Sequence, residues 1–259
     1  MTTARKRGRK TAAAAHLRLV RSDSRSQPDD AVEAHSSVTH SLRLLLSQRR
    51  ALTQRLFRLD LHPTAAAILD QGAKIIASSG GAALSMRTVA KLVEIKLASL
   101  QYHFRTFDDL VEALFSREFG RVADLLWKEL LELEASVSSA DEALRRAAGT
   151  FMVEGAEISP LEDRLYFTLL VFCAYHESAK PKLRAFYDYY NSLIAYLVSR
   201  VNPLLDEEEC MDRAIMITTA LEGANVYAVL WAGGRRANDV VHRDMGQLAY
   251  CYATLPRSV

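Results

Sequence analysis

The chain is predicted to be all-α, a small three-helix unit joined to a larger helical body, on three observations. Apolar residues recur at helical spacing in segment after segment. The 6 Pro and 11 Gly among 259 residues mark only a few breaks. No stretch alternates at period two, and no internal repeat is present. Hydrophobic residues at 49% and charged residues at 25% are the balance of a globular protein, and the length allows one large core or two modest ones.

Charge is distributed unevenly. Residues 1–60 hold 13 Lys/Arg against 5 Asp/Glu, and the remainder holds 20 against 26. A basic amino end points to a polyanion, either nucleic acid or an anionic membrane surface, unless it is a tail without a partner. Residues 1–36 are rich in Arg, Ala, Ser and Asp without periodicity and are expected to form a largely disordered arm. Over 41–59, Leu42, Leu45, Leu46, Leu52, Leu56 and Leu59 recur at helical spacing. They predict a short amphipathic helix whose Arg43, Arg49, Arg50, Arg55 and Arg58 form a basic face, solvated or laid along phosphate.

The next helix is bounded by Pro63 at its first position and Gly80-Gly81 at its end, with Ile68, Leu69, Ile75 and Ile76 as the buried stripe. Ser85 caps a short helix with Val89, Ala90, Leu92 and Val93 on its apolar side. A tight turn, "VEI", follows, with Glu94 where glycine is the easy choice. A third helix over about 96–104 turns Leu97, Leu100 and Phe104 inward. That leaves Ala98 and Tyr102 opposite, and Ser99 and Gln101 on the shoulders. Small and polar side chains on that face suit a major groove about 12 Å wide. Thr106 and Asp109 then form a near capping box, and apolar residues from Phe107 to Leu126 carry a long helix onward. Further helices are predicted over 140–155, 161–176, 182–201, 207–232 and 240–254.

Residues 62–115 resemble the amino-terminal domain of the TetR family of transcriptional regulators. "LQYHF" at 100–104 is similar to that family's Leu-Tyr-any-His-Phe ending, and "RTVAKLVEI" at 87–95 to its "xxIAxxAGV". The likeness covers about one fifth of the chain and departs at Glu94, Gln101 and Phe107. Beyond the basic, largely disordered extension with a possible short helix read over 1–60, it implies a helix-turn-helix DNA-binding domain over 61–108 and a helical ligand-binding and dimerisation domain over 109–259.

Carried over position by position, the resemblance implies DNA contacts by Lys96, Ala98, Ser99, Gln101, Tyr102 and His103, with Arg87, Thr88 and Thr106 at the backbone. Arg5, Lys6, Arg7, Arg9 and Lys10 would add phosphate or minor-groove contacts. The expected partners are a near-palindromic double-stranded operator, a second copy of the chain, and a small-molecule effector of apolar or aromatic character. Trp127, Tyr166, Phe172, His176, Tyr187 and Tyr190 are the candidate ligand contacts. Ile215, Met216, Leu221, Val226, Leu230, Trp231 and Tyr250 are the candidate dimer contacts. Repression is the expected sign of regulation.

No nucleophile motif, phosphate-binding loop or metal-ligand spacing is present, so no enzyme, cofactor or metal is expected. Cys173, Cys210 and Cys251 are too widely spaced for a disulfide framework. The amino end lacks the apolar core of a secretory signal, and the cytoplasm is the expected compartment. Residues 214–234 are long enough to span a bilayer, but Glu222 and Asn225 at their middle favour burial in protein over membrane. Two alternative readings are a non-specific nucleic-acid-binding protein and a helical lipid- or small-molecule-binding module at a membrane surface.

Overall fold

The first 27 residues lie outside what the computed structural model describes, which is residues 28–137, 139–150, 160–230 and 235–256. These form ten α-helices and one 3-10 turn, with no strand among the described residues.

The small unit is built from α2 (Pro63–Ser79), a 3-10 turn (Gly81–Ala83), α3 (Met86–Leu92) and α4 (Leu97–His103). His62 caps α2, its Nδ1 accepting from the Thr64 amide at 3.2 Å, and Pro63 supplies a preset φ where no amide is needed. Gly80, at φ 80°, ends the helix in a conformation glycine takes without strain. Ile68, Leu69 and Ile76 are buried against Leu84, Val89, Leu100 and Leu110 in one continuous core.

That core continues into the larger body through α5 (Phe107–Ser136), about 45 Å long at 1.5 Å per residue. Thr106 and Asp109 form a full capping box: Thr106 Oγ1 accepts from the Asp109 amide at 3.0 Å, and the Thr106 amide donates to Asp109 Oδ2 at 2.9 Å. Leu110, Val111 and Leu114 serve the small unit, while Phe119, Ala123, Leu130 and Leu133 enter the body.

The body comprises α6 (Ala140–Thr150), α7 (Pro160–Tyr175), α8 (Lys180–Val201), α9 (Glu207–Leu230) and α10 (Arg235–Thr254). α8 lies at its centre, and every side chain over 192–199 is buried, as expected of a helix contacted on all sides. Arg213 of α9 closes the end of α10: its Nη1 donates to the carbonyls of Tyr252, Ala253 and Leu255 at 3.1, 2.8 and 2.7 Å. These carbonyls lie at and just past the end of α10, where intrahelical amide donors run out, and Asn202 Nδ2 also donates to that of Ala253 at 3.0 Å.

The amino-terminal region differs from the sequence expectation. Instead of a short helix over 41–59, α1 spans Pro28–Phe57, so residues 28–36 are helical rather than part of an arm. Leu42, Leu46 and Phe57 are buried. α1 runs antiparallel to α5 and α8, as its contacts step in opposite senses. Phe57 packs edge-on against Phe115, Arg50 pairs with Asp124, and Arg43 Nη2 donates to Glu134 Oε2 at 3.0 Å. Arg49 Nη1 donates to the Asp188 carbonyl at 2.7 Å and to Ser192 Oγ at 2.6 Å. The expected basic face is therefore divided: Arg43, Arg49 and Arg50 are tied into the helical body, and Arg55 and Arg58 are exposed.

Among the described residues, no helix is long and apolar enough to cross a membrane. The cysteines are free, Cys173 and Cys210 buried and Cys251 exposed. Burial pushes the Cys173 and Cys210 thiols up to about 12, so both are protonated at neutral pH and poor nucleophiles.

Candidate nucleic-acid interface

The turn between α3 and α4 forms as a left-handed cap. Glu94 has φ 59°. The Ile95 amide donates to the Ala90 carbonyl at 3.0 Å and the Glu94 amide to the Lys91 carbonyl at 3.2 Å. This is the paired pattern of a Schellman end, with Glu94 at the position usually held by glycine. Ile95 packs on the core just beyond, as the motif's apolar contact. The strain at Glu94 is thus held by two backbone hydrogen bonds and one hydrophobic anchor.

α4 sits on the core through Leu100, fully buried, and through Phe104 just past its end. Lys96, Ala98, Ser99, Gln101 and Tyr102 are exposed, and Tyr102 is 85% exposed, which rules out a core role for it. His103 is half-buried, stacked on His62 with ring centroids 5.7 Å apart and edge-on to Tyr102 at 5.3 Å. It links the recognition face to the cap of α2.

Around α4 the exposed cations are Arg87 and Lys91 on α3, Lys96 at the start of α4, and Arg105 before α5. Lys91 and Arg105 were not singled out from the sequence, although their charge beside the motif was legible. Thr88 is exposed, with its Oγ1 2.7 Å from Ser85 Oγ and its amide on the same atom, so it also serves the cap of α3. Thr106 is likewise exposed and engaged in capping. Leu92, expected on the buried side of α3, is the last residue of that helix and is 52% exposed. Arg5, Lys6, Arg7, Arg9 and Lys10 lie outside the described residues.

The six candidate ligand contacts separate into two clusters and one residue apart. Tyr166 of α7 and Tyr187 and Tyr190 of α8 gather around Glu222 of α9. Tyr166 donates to Glu222 Oε1 at 3.2 Å, and the charge of that carboxylate also acts on the Tyr187 hydroxyl. Burial first, then the carboxylate's charge, holds the Tyr166, Tyr187 and Tyr190 hydroxyls above the usual tyrosine range. Burial likewise pushes the Glu222 carboxyl up to about 7, against the Tyr166 and Tyr187 hydroxyls, which lower it.

The other three lie elsewhere. Trp127 is covered by Arg43, whose guanidinium carbon is 4.9 Å from the ring centroid. Phe172 stacks on His176 at 3.7 Å and meets Phe107 edge-on at 6.3 Å, and His176 Nδ1 is 3.5 Å from Asp108 Oδ2. Phe172 and His176 thus join the end of α7 to the start of α5, and Trp127 stands apart from both clusters. Glu222 entered the sequence reading only as an obstacle to membrane insertion; a lone acid in an apolar helix was the signal for it.

On the exposed side of α9 and α10, Ile215, Met216, Val226 and Leu248 are apolar and uncovered, as is Leu255 just past α10. Leu221 is fully buried in its own chain's core, and Tyr250 is half-buried beneath the Arg145 guanidinium at 3.7 Å. The side chain of Leu230 and residue Trp231 lie outside the described residues.

The ten described helices, with the exposed helix-turn-helix, form a fold shared with solved transcriptional regulators. More particularly, it is the fold of the TetR family. A TetR transcriptional regulator from Legionella pneumophila superposes with a TM-score of 0.53 at 21% identity, covering 73% of this chain and 99% of that one. A transcriptional regulator from Saccharomonospora viridis, solved in complex with choline, gives a TM-score of 0.58 at 14% identity, covering 71% of this chain and 94% of the other. In sequence, the chain is 26% identical over 163 residues to an HTH-type transcriptional regulator from the region 5' of dhlA in Xanthobacter autotrophicus, covering 62% of this chain and 78% of that protein. No family model matches the chain. All three matched proteins are named as transcriptional regulators.

Proposed function

We propose that the protein is a sequence-specific, ligand-responsive transcriptional regulator that binds a near-palindromic operator as a homodimer and represses by occupying it. The observation that carries this reading is α4. Leu100 anchors it while Ser99, Gln101 and Tyr102 stand free on a face narrow enough for a major groove. Arg87, Lys91, Lys96 and Arg105 flank it as phosphate contacts, which fix register while the α4 side chains read bases.

One such unit reads only a few base pairs, so a dimer reading two half-sites is expected. The exposed apolar side chains of α9 and α10 support a self-complementary interface there. In this reading 61–108 is the reading head, 109–259 the ligand-binding and dimerisation body, and 1–60 an extension whose helix belongs to the body. α7 offers the coupling route: Tyr166 lies in the interior cluster, and Phe172 and His176, about two turns on, touch the first residues of α5. A ligand that shifts α7 favours one spacing of the two heads over another. The choline complex of the S. viridis regulator supports a small-molecule response in a protein of this fold.

Protection mapping of genomic DNA by the purified protein, followed by titration of recovered and random fragments at several salt concentrations, tests the reading. Retention of a specificity ratio of about 10³ or more at physiological salt is expected, with a dimer by sedimentation. Equal affinity for all fragments overturns it.

A further inference from the structure

Glu222 is the only acid between residues 213 and 238, and its carboxylate faces tyrosines rather than cations. Tyr166 bonds it through Oε1, yet among the described residues Glu222 Oε2 is buried with no donor, and no lysine or arginine pairs with it.

The neighbouring turn repeats the pattern. α8 and α9 are joined by a short connection and run antiparallel, with Tyr187 level with Glu222. Asn191, one turn on along α8, therefore comes level with Thr218, one turn back along α9. Asn191 Oδ1 and Thr218 Oγ1 are also buried without a partner. Glu222 Oε2, Asn191 Oδ1 and Thr218 Oγ1 are thus three buried oxygens on α8 and α9 without a hydrogen-bond partner. A purely structural polar network is expected to be satisfied throughout, and this one lacks hydrogen-bond donors and positive charge. Tyr166, Tyr187 and Glu222 each keep part of their surface exposed.

We propose that the effector is a protonated amine on an apolar body, its ammonium received by Glu222 and its body by the rings of Tyr166, Tyr187 and Tyr190. This deepens the ligand-responsive reading above and rests on it. An ammonium with N–H groups supplies both the charge for the carboxylate and donors for the unbonded oxygens, and tyrosine faces attract cations. A quaternary ammonium brings charge without a donor, an alcohol a donor without charge, and an anion is repelled. Burial that raises the Glu222 carboxyl to about 7 leaves it poised near neutrality, so a cation completes its ionisation.

Isothermal titration of the full chain with 2-phenylethylamine, tryptamine and octylamine, each against its alcohol counterpart, tests this. At least one amine should bind tenfold or more tightly than its alcohol, and Glu222→Gln should abolish the difference. If that variant does not fold, Glu222→Met, of similar length and apolar, replaces it. Equal affinity for amines and alcohols, no amine binding, or a preference unchanged in the variant overturns the proposal. The same compounds are added to the protein on DNA recovered by protection mapping. Amines that bind through Glu222 yet leave DNA affinity unchanged uphold the amine site and remove the ligand-responsive reading. DNA release by neutral or acidic compounds while no amine binds does the reverse.

Discussion

At the scale of single residues, Glu94 and Glu222 carry most of what is particular to this chain. Glu94 is held at φ 59°, where a side chain costs roughly 1 kcal/mol relative to glycine. Glu94→Gly should therefore raise stability by about that amount in thermal unfolding and leave DNA affinity intact; a lowered melting temperature would show that the side chain has a partner worth more than the strain. Glu222 has the opposite pH signature to a salt-bridged acid. Its carboxyl is raised from 4.5 to about 7 in the folded state, so between those values the folded chain binds more protons than the unfolded one. Its contribution to stability consequently falls as pH rises through that window and levels above it, by about 3 kcal/mol at most. Denaturant melts of Glu222→Gln and the unchanged chain at pH 5 and 8 should show the variant gaining relative stability at the higher pH.

The recognition face yields a second contrast among residues. Arg87→Ala should weaken binding of all DNA sequences alike and reduce the salt slope by about one, whereas Gln101→Ala should cost about 1–3 kcal/mol at one base position and relax specificity there. Fluorescence anisotropy on a set of singly substituted operators separates the two. A Gln101→Ala variant with unaltered sequence preference would remove that residue from base reading.

Among the elements, legibility followed how local the signal was. The start of α2 at Pro63, the glycine ending it, the cap of α3 and the box at Thr106 and Asp109 were all readable, because each is written within four residues. α1 was read as too short. Its first residue is Pro28 with Asp29 and Asp30 next, a helix-start signal, but the periodicity there is weak and its burial comes from α5 and α8, which are distant in sequence. The meeting of α6 and α10 was not legible at all: a Cβ on Gly246 would lie 2.6 Å from the Arg145 carbonyl oxygen. Gly246→Ala should accordingly destabilise by roughly 1–3 kcal/mol, as overpacking does when backbone must move. An unchanged denaturation midpoint would mean that the two helices approach less closely.

For the whole molecule, the direction of α1 bears on the role of the basic arm. Because α1 runs antiparallel to α5, its Pro28 end lies at the far end of the body from α4, about 45 Å back along the helix. The 18 residues from Lys10 to Pro28 reach at most about 60 Å when fully extended, so the arm's five leading cations reach DNA only by spending most of their tether. Deleting residues 1–27 should leave the melting temperature unchanged and reduce the salt dependence of DNA binding only modestly, whereas deleting 1–57 should unfold the body by exposing α8. A chain lacking 1–57 that still melts cooperatively at the original temperature would refute that role for α1.

The all-α class, the position of the helix-turn-helix, the inward turn of Leu100 and Phe104 and the left-handed turn at Glu94 were all decided within short windows of sequence. Helix periodicity, capping and backbone strain act over a few residues, so they can be read there. The seating of α1 against α8, and the meeting of Tyr166, Tyr187 and Glu222 around one carboxylate, were decided by packing. They join residues up to 143 positions apart, and no local pattern specifies which faces of separate helices will share an interior.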